Sequence, residues 1–251
     1  MISKYDLNYS NDMLLDLHLP ESEEFDLFVY FHGGGLVGGN RRGVEVFAET
    51  LAEQNVATAS VEYRLFPNAK FPDFLEDGAA AIAWLKANIS KYGKCNRIFV
   101  GGSSAGGYIS MMLCFDDKYL AKVGLKPTDI DAYIHDAGQP TSHFNVLKEA
   151  GKDSRRVIVD ETAPLFFVGL AEQYSPMLFI VSDKDMFGRY EQTMVMVKTL
   201  NHFEHNENVD LKVMNSTHCA YVPQKDEKGN SVFGTTILSF LSNHKLLSKE
   251  E

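Results

Sequence analysis

Two short motifs in this chain are built for acyl chemistry. Gly102-Ser103-Ser104-Ala105-Gly106 places a serine between glycines two positions away on either side, directly after the β-like run Arg97-Ile98-Phe99-Val100. A chain that turns sharply from strand to helix strains its central residue, and bulk two places before or after would collide across the turn. The turn lifts the Ser104 hydroxyl clear of the sheet, where a carbonyl can reach it. The second motif, His32-Gly33-Gly34-Gly35, follows the apolar run Leu27-Phe28-Val29-Tyr30-Phe31. Consecutive glycines let main-chain N–H groups approach a ligand that a Cβ would obstruct. The expected oxyanion donors are the amides of Gly34, Gly35 and Ala105, with Gly33 as a further choice. Each motif alone also fits a tight turn with no ligand; their pairing favours a site.

A serine hydroxyl needs a base to take its proton and a third group to orient that base. His218 follows the alternating segment 209–214 and is expected in a loop after a strand. The continuous apolar run 176–181 predicts a buried parallel strand ending in Ser182-Asp183-Lys184-Asp185. Asp185 and Asp183 are therefore candidate acids, and Asp136, after the strand expected over 130–134, is a third. His218 lies 33 residues beyond Asp185, room for one helix and one strand.

Further residues carry a family resemblance. Glu62-Tyr63-Arg64-Leu65-Phe66-Pro67, then Phe71-Pro72, Asp77 and Ala83-Trp84-Leu85, taken with the two glycine motifs, resemble the esterase/lipase branch of the α/β-hydrolases, which includes hormone-sensitive-lipase-like and acetyl-esterase-like enzymes. The match runs from about residue 27 to residue 110; beyond it the likeness is one of layout. It implies an α/β-hydrolase fold, a mostly parallel sheet with helices on both faces, and the chain order Ser, acid, His. It also favours Asp185, because family members resemble G-x-x-D here, with Ser182 where glycine is usual. Cys219 stands where a small residue commonly follows the histidine. The implied function is a serine carboxylesterase for small or short-chain acyl esters, acetylated carbohydrates among them, working through Ser104, His218 and Asp185 without cofactor or metal. Two alternatives share these residues or this scaffold: an amidase or formamidase of the same fold, and a noncatalytic binding protein.

The elements that must position these groups are legible as a strand–helix alternation. Tyr108, Ile109, Met112 and Leu113 predict one apolar helical face; Phe74, Ala81, Trp84 and Leu85 predict another. Met194, Val197 and Leu200 mark a helix between acid and base, and a C-terminal helix is expected over 237–247, with a frayed tail at 249–251. With 251 residues, 45% of them hydrophobic, one catalytic domain over 1–251 is expected. The formal net charge of −10 opposes nucleic acid and anionic membranes. No secretory or membrane-spanning pattern is present, so a cytoplasmic protein with a small-molecule substrate is expected. Cys95, Cys114 and Cys219 lack C-x-x-C spacing and are expected to be reduced.

Only 31 residues precede His32, so any cap over the site is expected from the middle of the chain. The stretch 138–175, between the sixth and seventh strands, is long for such a connection and is expected to be a small lid or pocket wall, or else a longer crossover packed on the sheet. His32 is expected to buttress the glycine loop. His135 and His143 are expected at the pocket or the surface, His202 and His205 on a solvated helix face, and Arg189 in a structural role beside the acid.

Overall fold

The computed structural model describes residues 1–10 and 12–248. The C-terminal residues 249–251, expected to fray, lie outside the described residues. The chain opens with β1 (Ile2–Ser10) and β2 (Met13–Leu19), an antiparallel pair. Then β3 (Glu24–Phe31), α1 (Glu45–Ala52), β4 (Val56–Val61), α2 (Asp73–Asn88), β5 (Lys94–Ser103), α3 (Ala105–Phe115) and a short α4 (Lys118–Ala121) alternate. They are followed by β6 (Ala132–Asp136), α5 (Phe144–Glu149), β7 (Met177–Lys184), α6 (Arg189–His202), β8 (Val209–Thr217) and α7 (Val232–Asn243).

The strands form one eight-stranded sheet in the order β1-β2-β4-β3-β5-β6-β7-β8. All pairings from β4 through β8 are parallel, and only β1 and β2 run against their neighbours. Parallel neighbours cannot be joined by a tight turn, so helices cross over and cover both faces. The period-two alternation of β3 divides its side chains between these faces. Leu27, Val29 and Phe31 join the core beneath α2, α3 and α6, with Ile82, Leu85, Met112 and Met196. Phe28 and Tyr30 join the opposite core beneath α1 and α7, with Phe47, Phe99, Phe233 and Ile237. The expected mostly parallel sheet with helices on both faces is the arrangement that forms.

Several expectations shift in detail. β6 begins two residues later than expected and runs through Asp136, placing His135 and Asp136 within the strand. α3 is not amphipathic: every residue from Ala105 to Phe115 is buried, because the helix is packed between the sheet and its neighbours. On α6 the buried residues are Arg189, Thr193, Met196, Val197 and Leu200, so Met196 takes the place expected of Met194. α7 starts at Val232, five residues before the expected start, because the Ser231 hydroxyl caps it by accepting from the Gly234 amide at 3.0 Å. The connection from β6 to β7 holds α5 and a 3-10 turn over Pro164–Phe167. Asp160 gathers it by accepting from Ser142 and Thr162, and the Tyr108 hydroxyl on α3 donates to the Thr162 carbonyl at 2.6 Å.

Candidate active site

Ser104 sits between the end of β5 and the start of α3 with φ 55° and ψ −111°, a strained conformation for any residue but glycine. Its neighbours show why the turn tolerates no side chain nearby. A Cβ on Gly102 would lie 2.5 Å from the Phe31 carbonyl oxygen and 2.6 Å from Gly106; one on Gly106 would lie 1.9 Å from that same oxygen. The Ser104 amide donates to the Asp136 carbonyl at 2.8 Å, tying the turn to β6.

His218 follows β8 directly, and Asp185 follows β7 directly. The parallel register of β7 and β8 sets the two strand ends side by side. The His218 ring bridges the other two groups: Nε2 is 2.8 Å from Ser104 Oγ and Nδ1 is 2.5 Å from Asp185 Oδ1. Burial alone would raise the Asp185 carboxyl. Hydrogen bonds from the His218 ring and from the Met186 and Ser182 amides, at 2.7 and 3.2 Å for the amides, outweigh it and hold the group below its ordinary value. Asp185 is thus an anion whose side chain is wholly buried, and the His218 proton belongs on Nδ1, facing it. Nε2 is left free to accept from the serine.

The glycine loop closes the other side. The amides of Gly34, Gly35 and Ala105 find no acceptor among the described residues, although Ala105 is fully buried. Gly33 lies against the elbow, where an added Cβ would stand 3.4 Å from the Ser104 Cβ. His32 buttresses the loop as expected: Nδ1 meets the Gly33 carbonyl at 2.6 Å, and the ring stacks on Tyr63, whose hydroxyl donates to the His32 carbonyl. A Cβ on Gly39 would press within 2.2 Å of the Gly33 oxygen, so the loop folds back on itself only with glycine there. Beyond it, the Arg41 guanidinium meets Asp6, Asp16 and Glu62, pinning the loop to β1, β2 and the end of β4.

The other candidate acids do not touch the histidine. Asp183 is exposed and accepts from the Ser216 amide at 3.0 Å. Asp136 is fully buried; Oδ2 accepts from Ser103 Oγ at 2.5 Å and Oδ1 from the Tyr221 hydroxyl. Burial pushes its carboxyl up to about 6, against those two hydrogen bonds and the nearby His218.

The remaining histidines correct the surface alternative. His135 is core, packed among Phe115, Tyr133 and Phe179, and burial lowers it to about 3. His143 is also buried, caps α5 by accepting from the Asn145 amide, and is likewise lowered to about 3. His202 ends α6, whereas His205 lies beyond it and packs on Tyr174. Arg189 is buried, and its guanidinium donates to the Ala137 carbonyl and to Gln139 Oε1 rather than to a carboxylate. Asn145, not singled out in the sequence, donates from Nδ2 to the Gly35 carbonyl at 2.5 Å and joins α5 to the glycine loop. The described residues hold no cluster of three or more His, Cys, Asp or Glu suited to a metal ion. None of their helices is long and apolar enough to cross a membrane.

Comparison with known proteins bears on the family and the fold. The model of a family described as alpha/beta hydrolase fold matches residues 28–219. An AB hydrolase superfamily protein of Schizosaccharomyces pombe is 42% identical over 88 residues, 34% of this chain and 26% of that protein. Esterase LipC of Mycobacterium tuberculosis is 34% identical over 115 residues, 43% of this chain and 28% of that protein. These alignments thus span about a quarter of the length of the curated relatives. Among solved structures, esterase B from Lactobacillus rhamnosis superposes with a TM-score of 0.77 over 97% of this chain and 86% of that one, at 16% identity.

Proposed function

Because the chain belongs to the alpha/beta hydrolase fold family, we propose that it is a serine carboxylesterase acting on small, short-chain acyl esters. One observation carries this reading: an unbroken relay from Ser104 Oγ through His218 to buried Asp185, at 2.8 and 2.5 Å, beside main-chain amides that have no other acceptor among the described residues. The names of relatives such as esterase LipC support the reaction class.

In the proposed reaction Ser104 Oγ attacks the ester carbonyl carbon while its proton passes to His218 Nε2. The carbonyl oxygen becomes an oxyanion held by the Gly34, Gly35 and Ala105 amides, and the imidazolium is held by Asp185. Collapse of the tetrahedral adduct breaks the bond to the alcohol oxygen, which takes the Nε2 proton as it leaves. Water then attacks the acyl-serine, its proton passing to His218. A second collapse releases the carboxylic acid and returns the proton to Ser104. Every proton taken by the ring is given back within a turnover, and no cofactor enters.

We assign the segment 138–175 as a fixed pocket wall, since Asn145 and the Phe144 ring meet the glycine loop and Asp160 gathers its backbone. Gln139, Thr141 and Asn145 are buried there and hydrogen-bonded within the protein, to Ser142, Gln192 and Gly35; small acyl esters, acetylated carbohydrates among them, are the substrate class we propose from the resemblance to acetyl-esterase-like enzymes. The test is hydrolysis of p-nitrophenyl esters of increasing chain length and of acetylated sugars, alongside labelling by a fluorophosphonate probe. Ser104→Ala should lose about 10⁴-fold or more in kcat and all labelling while keeping the parent's melting temperature. Parental turnover in that variant would refute the assignment.

A further inference from the structure

We propose that Asp136 is a positioning residue of this site: with Ser103 and Tyr221 it forms a buried bracket that holds the histidine turn against the nucleophile elbow and sets a second negative charge behind His218. The inference rests on the esterase reading and adds to the relay a group that does not touch the reacting atoms.

Asp136 ends β6, between the strand that delivers the serine and the strand that delivers the acid. Three hydrogen bonds converge on it. Its carbonyl takes the Ser104 amide at 2.8 Å, Oδ2 takes the Ser103 hydroxyl at 2.5 Å, and Oδ1 takes the Tyr221 hydroxyl. The first two fix the elbow. The third fixes the turn after β8, where the Ala220 amide bonds the Thr217 carbonyl and the Val222 amide bonds the Cys219 carbonyl, so that His218 and Tyr221 share one compact turn. The distance from Ser104 Oγ to His218 Nε2 is therefore set by two routes, one through Asp185 and one through Asp136.

A buried carboxylate costs free energy that an apolar side chain of similar size would avoid, so its presence calls for a reason beyond filling space. Both of its oxygens are satisfied, and both donors belong to the segments that carry the nucleophile and the base. The titratable and charged groups around it are Tyr30 from β3, Asp185 after β7, and His218, Cys219 and Tyr221 after β8, with Arg189 on α6 acting on Asp185. The imidazolium formed during acyl transfer would thus face Asp185 directly and Asp136 at longer range. Removing the Asp136 charge withdraws support from that imidazolium. The loss falls on the transition state, where the ring is charged, and not on binding of the ground-state substrate.

The experiment compares the parent with Asp136→Asn and Tyr221→Phe in p-nitrophenyl acetate hydrolysis at about pH 8, where the Asp136 carboxyl is charged, with kcat expressed per site titrated by the fluorophosphonate probe. Asp136→Asn should lower kcat per titrated site about tenfold or more and leave KM within about twofold. Tyr221→Phe, which keeps the charge but frees the turn, should lower kcat per titrated site about threefold or more, again at constant KM. Titrating the sites removes any loss that comes from misfolded protein. Per-site kcat equal to the parent's would overturn the proposal; should Asp136→Asn not fold, parental per-site kcat in Tyr221→Phe would overturn it. An inactive, unlabelled parent would sink the esterase reading and this one together, whereas an active parent with parental variants would sink this one alone.

Discussion

At the scale of single residues, the site depends on which carboxylate meets the imidazole. Asp185 is placed to do so, and its three donors, the His218 ring and the Met186 and Ser182 amides, hold it as an anion. Asp185→Asn would present an amide N–H where an acceptor is needed, favouring the ring tautomer that carries its proton toward Ser104. We expect kcat to fall about 10³- to 10⁴-fold with KM changed little, measured in steady-state hydrolysis. Retention of a tenth of the parental kcat would mean that another group orients His218. Ser104 and the glycines were legible because their chemistry is written in contiguous motifs, and His218 because it follows the strand-like segment 209–214 at the spacing the acid requires. The choice between Asp183 and Asp185 was not settled by strand position alone, since both follow the same apolar run and differ only in which way the strand end turns them. Asp136 could be flagged only as an acid at a strand end; its partners lie 33 and 85 residues away in sequence, and no local pattern announces them.

At the scale of elements, the motifs work because loops at the strand ends are held by neighbours far along the chain. Hydrophobic periodicity gave the strands and helices, but it could not show that α3 is buried on all sides, because a helix enclosed by protein has no polar face to reveal its orientation. Nor could it show how the 138–175 segment packs, since its apolar anchors, Val146, Leu165, Phe167, Val168 and Tyr174, follow neither a helical nor a strand period and its polar bonds are single. Asn145 is the example. Its side chain bridges the first turn of α5 to the Gly35 carbonyl, so the wall and the oxyanion loop are one mechanical unit. Asn145→Ala removes that bond without disturbing the cap that His143 gives the same helix, which uses the Asn145 backbone. The peptide that carries the Gly35 carbonyl would then be free to rotate. We expect kcat to drop about tenfold, less than the ~100-fold that a full ångström of misplacement can cost, while the melting temperature changes little. An unchanged kcat would show that the Arg41 and His32 contacts are enough to hold the loop.

At the scale of the whole molecule, the fold stores several histidines in the core, and this sets how it responds to acid. His18, His32, His135 and His143 are all buried, and burial lowers each of them. In the unfolded chain a histidine takes its proton near pH 6.5, whereas His135 and His143 resist it until about 3. Between those limits the unfolded state binds more protons than the folded one, so stability falls as pH falls, beginning near 6.5 and well above the carboxylate range. Asp136 works the other way: its raised carboxyl keeps a proton in the folded state up to about 6, and so favours folding as pH drops from about 6 toward the ordinary aspartate value. Asp26, also raised by burial, works the same way, but two aspartates do not offset four histidines, and the net effect is destabilisation in mild acid. His135 isolates a single contribution. Its Nε2 is buried without a partner among the described residues, Phe115, Tyr133 and Phe179 surround the ring, and the Ser110 hydroxyl that meets Nδ1 also bonds the Gly107 carbonyl. His135→Phe therefore removes an unsatisfied polar atom and suits its aromatic surroundings, so stability at pH 7.5 should be held or raised. Between about pH 4 and pH 6 the dependence of unfolding free energy on pH should become shallower by close to one proton, about 1.4 kcal/mol per pH unit. Urea unfolding of parent and variant across that range measures this directly, and parallel curves would mean that His135 takes up its proton in the folded protein as readily as in the unfolded chain.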